Sequence, residues 1–143
     1  AYVYHKIYNK QKNICDRNKL YLNLVSYWLT NKIAGKSMHK FLLENNIKNI
    51  AIYGMGSMGE LFYEELENTN IGIQCFVDKK ADGLFVGIDN IPLINIKELI
   101  SQKQIDAIII TPIAYYDDIV KDIMQQRCTT KIISLEEIIY NMR

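Results

Sequence analysis

Three glycines, at positions 54, 56 and 59, separate a short apolar run from an amphipathic stretch. A G-x-G-x-x-G spacing between a strand and a helix is typical of a turn that binds a dinucleotide. The first glycine permits a sharp turn, the second leaves the backbone open to a pyrophosphate, and the third lets the helix pack closely. The start of the helix then offers free N–H groups and a positive dipole end to phosphate. We therefore predict a cofactor-binding turn formed by Gly54, Met55, Gly56, Ser57, Met58 and Gly59.

A carboxylate follows this turn at a suggestive distance. Asp78 ends the run IGIQCFVD, nineteen residues after Gly59, close to the roughly 20 residues at which an acidic residue binds the adenosine ribose. Its charge favours NAD over NADP, although Lys79 and Lys80 would either attract a 2′-phosphate or lie solvated in a loop. Thr111, at the end of a later strand, completes the predicted binding set. The alternative is a tight strand-to-helix turn that binds no nucleotide, with Asp78 capping the next loop.

The chain after Ile47 alternates strand-like runs with amphipathic helices. This alternation predicts an α/β fold, a Rossmann-like three-layer sandwich of about five parallel strands in the order 3-2-1-4-5, after a helical amino-terminal segment. We expect Asn95, Ser134 and Thr111 (the last followed by Pro112) to cap helices. The predicted strands are 49–53, 71–77, 90–94, 106–111 and 130–135, and the predicted helices are 57–68, 96–102, 113–126 and 136–142.

Residues 1–46 are predicted to form a helical leader, and residues 47–143 the Rossmann-like nucleotide-binding domain. The leader has one apolar helix face between Asn18 and Ala34, with Gly35 just past its end and Ser37 capping a second helix. We expect that apolar face to be buried against another surface, and three alternatives stay open. The surface is this domain or a second copy of the chain, a fused or separate glycosyltransferase, or an anionic membrane. We predict a homodimer or a folded-back leader, with Trp28 shielded from water.

Charge and composition narrow the function classes. Residues 1–50 carry nine lysines and arginines against two acidic residues, a net charge of +7, whereas residues 51–143 carry eight against fourteen, a net charge of −6. Three widely spaced cysteines and two histidines argue against a disulfide framework or a metal centre and favour the cytoplasm. No apolar run approaches the roughly 20 residues of a transmembrane span. We expect neither a secretory signal nor a nucleic-acid partner. Because the sequence does not begin with methionine, one interpretation is that the chain is a fragment of a longer protein.

Several stretches together resemble a known family: IAIYGMGSMGELFYEEL, CFVDKK, IPLINIKELI, DAIIIT and KIISLEEII. They are similar to the small Rossmann-like domain of bacterial polysaccharide and nucleotide-sugar biosynthesis proteins, which is found in nucleotide-sugar dehydratases and epimerases and in sugar acetyltransferases. The resemblance covers about residues 48–140. It implies that Gly54, Gly56 and Gly59 contact phosphates, that Asp78 binds the ribose in NAD-like members, and that the chain serves surface-glycan biosynthesis.

Catalytic residues are harder to assign. An epimerase or dehydratase needs a Tyr-x-x-x-Lys pair after the glycines, where the lysine lowers the tyrosine pKa. The two pairs with that spacing precede the glycines: Tyr2 with Lys6, and Tyr8 with Lys12. Tyr115 and Tyr116 follow the fourth strand near the expected ligand crevice, and we expect one in the core and one on the surface. Three functions therefore stay open: a binding or accessory domain for an NAD-like dinucleotide or nucleotide-sugar, an NAD-dependent epimerase or dehydratase or a fragment of one, and a structural partner that binds nothing.

Overall fold

The computed structural model describes residues 1–79, 87–102 and 104–143. Strands and helices alternate after two amino-terminal helices, as the sequence predicts. The helices are α1 (Tyr2–Ile33), α2 (Met38–Glu44), α3 (Ser57–Leu66), α4 (Ile96–Ile100), α5 (Tyr116–Gln125, after a 3₁₀ turn at Ile113–Tyr115) and α6 (Leu135–Tyr140). The strands are β1 (Asn49–Tyr53), β2 (Gly72–Val77), β3 (Leu93–Ile94), β4 (Ala107–Ile110) and β5 (Lys131–Ser134).

The five strands form one parallel sheet in the order β3-β2-β1-β4-β5. The predicted α/β fold and strand order are therefore confirmed. The chain reverses its direction of travel across the sheet between β1 and β4, so their carboxyl ends form the crevice where such sheets bind ligands. The predicted strand 90–94 shrinks to two residues because Asp89 and Asn90 adopt left-handed φ values of 49° and 65°, which extended pairing excludes.

Side chains alternate along each strand into two apolar cores, one on each face of the sheet. On β1, Ile50 and Ile52 join the core with α1, α2, α3 and α6, whereas Ala51 and Tyr53 join the core with α4 and α5. Helices thus cover both faces, which confirms the three layers and explains why β4 is continuously apolar.

The leader packs against this sheet domain rather than standing apart from it. Leu24 and Trp28 of α1 belong to the same core as Ile50, and Trp28 is only 7% exposed. The predicted shielding of Trp28 is confirmed. Asn31, also buried, donates from Nδ2 to the carbonyl of Ile139 in the last turn of α6 at 2.8 Å, which satisfies a carbonyl that the helix end leaves without a partner. A glycosyltransferase partner stays a prediction.

Helix α1 is much longer than the predicted stretch 18–34, since it begins at Tyr2. Its end is as predicted, because Gly35 has a left-handed φ of 78° just beyond it. Ser37 occupies the cap position of α2 with an extended backbone, but its hydroxyl makes no hydrogen bond to the helix. None of the helices within the described ranges is both long and apolar enough to cross a membrane.

Two predicted caps are confirmed and one is wrong. Asn95 accepts a hydrogen bond from the amide of Glu98 at 2.9 Å, and the Ser134 hydroxyl accepts one from the amide of Glu136 at 3.2 Å. Thr111 does not cap a helix. The helical turn begins only at Ile113, and the Thr111 hydroxyl is directed back to the sheet.

Candidate functional site

The three glycines each occupy a position with a different steric requirement. Gly54 has a φ of 95°, and a Cβ there would lie 2.8 Å from atoms of Thr111 and Pro112. A Cβ on Gly59 would collide with the carbonyl oxygen of Gly54, so α3 approaches the turn as closely as predicted. A Cβ on Gly56 would meet nothing within 4 Å. Gly56 is therefore the glycine that faces open space at the start of α3.

Thr111 fixes this turn to the neighbouring strand. Its side chain is 1% exposed, and its hydroxyl donates to the carbonyl of Tyr53 at 2.8 Å. The carbonyl of Gly54 lies 3.3 Å from the same hydroxyl. The end of β4 thus holds the end of β1 and the first glycine in one place, which orients the amino terminus of α3.

A cavity of about 430 Å³, here called the turn cavity, opens above the glycines. Its walls come from the start of α3, the end of β4 and the leader helix α1. The lining residues are Arg17, Tyr21, Gly56, Ser57, Met58, Gly59, Thr111, Pro112 and Tyr115. Across it, Arg17 Nη1 donates to the Tyr115 hydroxyl at 2.8 Å. A residue of the leader therefore lies at the ligand crevice of the sheet.

The electrostatics of the turn cavity suit an anion. The cap residue of α3 is Gly56, which has no side chain to satisfy the first amides of the helix. These amides carry the positive end of the helix dipole. Arg17 adds a permanent positive charge with several donors in a planar fork, which matches phosphate or carboxylate oxygens. Among the residues that the structure describes, neither an aspartate nor a glutamate lines the turn cavity. The arrangement can bind a phosphate group.

The structure brings most of the predicted site residues together. Gly56, Ser57, Met58, Gly59 and Thr111 line the turn cavity. Gly54 is buried beneath it and supplies the left-handed turn, while Met55 packs partly buried against the core.

Asp78 lies apart from the turn cavity, at the end of the adjacent strand β2. Its amide donates to the carbonyl of Ile94 at 3.1 Å. Burial raises the pKa of the Tyr53 phenol, and the negative charges of Asp78 and Asp122 raise it further. The Asp78 carboxylate therefore lies on the β2 side of β1.

The two lysines after Asp78 were predicted either to attract a phosphate or to lie solvated. Lys79 Nζ lies 3.2 Å from the carboxylate of Asp122 on α5, and its side chain is largely exposed. An exposed ion pair of this kind contributes little to stability. Lys80 lies outside the described residues.

Sequence reasoning did not find Arg17 and Tyr21. One signal was available, because residues 17, 21, 24, 28 and 31 are spaced at three and four along one helix face. The apolar part of that face was recognised, and its continuation by one turn leads to Arg17. Tyr115 is half exposed at the cavity, whereas Tyr116 packs against the core of α5, as was predicted for this pair.

The cysteines are free thiols. Cys75 lies in the centre of β2, and burial raises its pKa to about 12. Such a thiol is protonated at neutral pH and behaves as a small apolar side chain.

Fold and site together define a parallel α/β domain with a glycine turn at the point where the strand order reverses. Residues 46–138, well over half of the chain, match the model of the family described as C2185-like, N-terminal. The chain belongs to this family. Comparison with curated proteins gave no significant match.

This family match corrects the resemblance inferred from sequence. The assignment to the Rossmann-like domain of polysaccharide and nucleotide-sugar biosynthesis proteins is wrong, because the matching family is a different one. The quoted stretches were misleading for a physical reason. A glycine turn and an acidic residue after the second strand satisfy steric and electrostatic needs that many parallel α/β sheets share.

Proposed function

We propose that this chain binds a nucleotide, either an NAD-like dinucleotide or a nucleotide-sugar, through its phosphates at the glycine turn. One observation carries the proposal: the uncapped start of α3 and the guanidinium of Arg17 converge on one cavity of about 430 Å³. The side-chain-free Gly56 between them leaves room for phosphate oxygens against the backbone.

The proposed orientation follows from the strand order. In sheets of this topology the nucleoside lies towards the second strand, and an acidic residue there binds the ribose. Asp78 has that position, next to Tyr53 at the end of β1. We assign the phosphates to the turn cavity and the ribose to the Asp78 side, with NAD favoured over NADP because a carboxylate repels a 2′-phosphate.

Binding is favoured over catalysis. A proton-transfer reaction needs a group within hydrogen-bond reach of the substrate. Among the described residues, those that line the turn cavity include no histidine, lysine or carboxylate. Its two tyrosines, Tyr21 and Tyr115, lack the lysine four residues later that an epimerase or dehydratase pairs with its tyrosine. An arginine side chain has N–H donors and no acceptor, so Arg17 can bind an anion but cannot serve as a general base. We therefore propose a binding or accessory domain in preference to an epimerase or dehydratase. A cytoplasmic location belongs to the same proposal, since free thiols suit a reducing compartment.

Calorimetric titration with NAD, NADP, UDP-glucose and UDP tests the proposal. We expect Gly56→Val to abolish binding while the protein still unfolds cooperatively, because the new side chain would occupy open space where the phosphates bind. Arg17→Gln should weaken binding about tenfold or more, which corresponds to the loss of one charged hydrogen bond. Lys19→Gln, an exposed change of the same charge on α1, is the matched control. If the parent protein bound none of these ligands, or Gly56→Val bound like the parent, the proposal would be wrong.

We also propose that α1 forms a parallel homodimer. A face of α1 that does not pack on the sheet carries exposed residues at alternating steps of three and four, the spacing of a two-stranded coiled coil. Six of its eight residues are apolar or cysteine, and the other two are Gln11 and Asn18. Leu22 is 67% exposed and Tyr4 79% exposed. This surface, here called the α1 seam, consists of Tyr4, Tyr8, Gln11, Cys15, Asn18, Leu22, Val25 and Leu29. A parallel alignment pairs Gln11 and Asn18 each with itself, whereas an antiparallel alignment would oppose them to Leu22 and Cys15.

Light scattering and thiol cross-linking test the dimer. The parent should have a dimeric mass, and Leu22→Lys should give a monomer because it places two charges in the seam. Leu61→Lys, at an exposed apolar position on α3, should leave the mass unchanged. Mild oxidation should join Cys15 to the partner's Cys15 in a parallel dimer. A monomeric parent, or a dimer that Leu22→Lys does not affect, would contradict this arrangement.

A further inference from the structure

A second cavity adjoins the turn cavity and extends along the amino-terminal half of α1. It has a volume of about 980 Å³ and shares Arg17 and Tyr115 with the first. We call it the basic groove. Its lining residues are Tyr2, His5, Lys6, Asn9, Lys10, Asn13, Ile14, Arg17, Ala114 and Tyr115. The two cavities thus adjoin at the hydrogen-bonded pair Arg17 and Tyr115, which lines both of them.

Six of the ten residues that line the groove have basic or amide side chains. Lys6, Lys10 and Arg17 lie on one face of α1, because they are separated by four and seven residues. Within the described part of the chain, no carboxylate lines the groove. Like charges at such spacing repel each other and destabilise a helix slightly, whereas a negatively charged ligand in the groove would relieve that repulsion. The side of α1 that packs on the sheet is therefore apolar near its carboxyl end and basic at Lys6, Lys10 and Arg17, where the helix passes the ligand crevice.

The groove lies on a definite side of the proposed nucleotide. Ala114 and Tyr115 belong to the turn after β4, and β4 pairs with β1 on the edge opposite β2. Asp78 follows β2. A ligand whose phosphates occupy the turn cavity and whose ribose lies towards Asp78 would extend its other half into the basic groove.

We infer that the ligand of this site carries a negatively charged group on the half that lies beyond its phosphates, bound by Lys6 and Lys10. The ligand class is a nucleoside diphosphate joined to an acidic sugar or an acidic ring. This inference rests on the proposed nucleotide site. Lys10 and Lys6 lie about 10 and 16 Å from Arg17 along the helix, at about 1.5 Å per residue. That separation suits a ligand of two linked halves, and it exceeds what a mononucleotide would fill.

Two pairs of probes test this, each pair differing by one carboxylate on the distal half. UDP-glucose is compared with UDP-glucuronate, and NAD with nicotinic acid adenine dinucleotide. At 0.15 M salt, where long-range attraction is screened beyond about 8 Å, the parent should bind the acidic member of at least one pair about tenfold more tightly. The double variant Lys6→Gln/Lys10→Gln should reduce that ratio to about one and leave the affinity for the neutral member within about twofold.

The control variant is Lys12→Gln/Lys19→Gln, which removes the same charge from positions of α1 outside the groove. It should keep the tenfold preference. Equal affinities within both pairs, or a preference that survives in Lys6→Gln/Lys10→Gln, would overturn the inference and leave the nucleotide site intact. Loss of the preference in the control as well would show only general attraction to a basic helix, and would also overturn it. If the parent bound no probe, the nucleotide proposal would fall together with this one.

Discussion

Of the three glycines in the turn, Gly59 is the one at which the backbone leaves the least room for a side chain. A methyl group there would meet the carbonyl oxygen of Gly54, part of a turn that Thr111 already holds in place. Backbone atoms cannot rotate away as a flexible side chain does, so either α3 or the turn would have to move.

We therefore expect Gly59→Ala to lower the free energy of unfolding by about 1–3 kcal/mol, the usual cost of overpacking. Gly56→Ser is the matched control, since its side chain would enter open space and serine is a good cap residue. It should change the free energy of unfolding by less than about 0.5 kcal/mol. Urea unfolding of the three proteins measures both effects, and equal losses for the two variants would contradict the steric account of the turn.

At the same scale, the glycine positions were predictable from sequence and Arg17 was not. The turn geometry depends on residues within a few positions of each other, and steric rules decide it locally. The contact of Arg17 with Tyr115 joins residues 98 positions apart. It depends on how a helix from the leader crosses the sheet, which the spacing of residues near the glycines does not determine.

At the scale of elements, Asp106 joins the amino-terminal ends of two strands. Its carboxylate accepts hydrogen bonds from the amides of Asn49 at 2.8 Å and Lys48 at 2.9 Å, and its own amide donates to the Asn49 carbonyl at 2.7 Å. The bonds from these two amides hold the pKa of Asp106 below its usual value, and the charge of Lys48 adds to the effect. The carboxylate therefore helps to align β1 with β4.

The pH dependence of stability follows from this lowered pKa. The folded protein binds the Asp106 proton less tightly than the unfolded chain, so the stabilisation is complete above the unfolded pKa of about 3.9. It is lost as the pH falls through the lower folded value. We expect Asp106→Asn to be less stable than the parent at pH 6 by less than about 1 kcal/mol, because the group is largely exposed. The difference should shrink as the pH falls from 5 to 2. Urea unfolding of both proteins at each pH measures this difference, and a difference that stays constant from pH 6 to pH 2 would contradict the account.

Elements were predicted unevenly, and helix α1 shows why. Its carboxyl half was recognised because residues such as Leu24 and Trp28 repeat with the period of a helix that packs on a core. The amino half does not pack on the core, and its apolar residues Tyr4 and Tyr8 face away from the sheet, so no burial pattern marked it as helical. Strands β1 and β4 were easy to recognise for the opposite reason, since burial on both faces makes them continuously apolar.

At the scale of the whole molecule, the leader and the sheet share one core. Five apolar leader residues are buried against the domain: Leu24, Trp28, Met38, Phe41 and Leu42. Burying one large apolar side chain contributes about 1.5–3 kcal/mol, whereas a whole domain is stable by only about 5–15 kcal/mol. The part of the chain that matches the family, residues 46–138, therefore shares its core with two helices, α1 and α2, that lie outside the match.

We expect a chain that lacks residues 1–46 to lose its cooperative thermal transition and to bind apolar dyes. Removal of residues 1–13, which are exposed along α1, is the matched control. It should retain a cooperative transition at low protein concentration, with a melting temperature within a few degrees of the parent. Circular dichroism and calorimetry measure both. A cooperative transition in residues 47–143 alone would mean that the shared core is dispensable.

The length of α1 has a mechanical consequence. A helix of 32 residues is about 48 Å long, and about 39 Å separate Trp28, where it is anchored, from its first residue. If α1 turns as a rigid rod about Trp28, each residue moves in proportion to its distance from that anchor. A tilt of about 5° at the anchor would move the tip by about 3 Å, roughly the width of a water molecule. Arg17 lies between Trp28 and the first residue of α1, so a displacement of Arg17 by a ligand in the turn cavity would produce a larger displacement at the amino-terminal end of the helix.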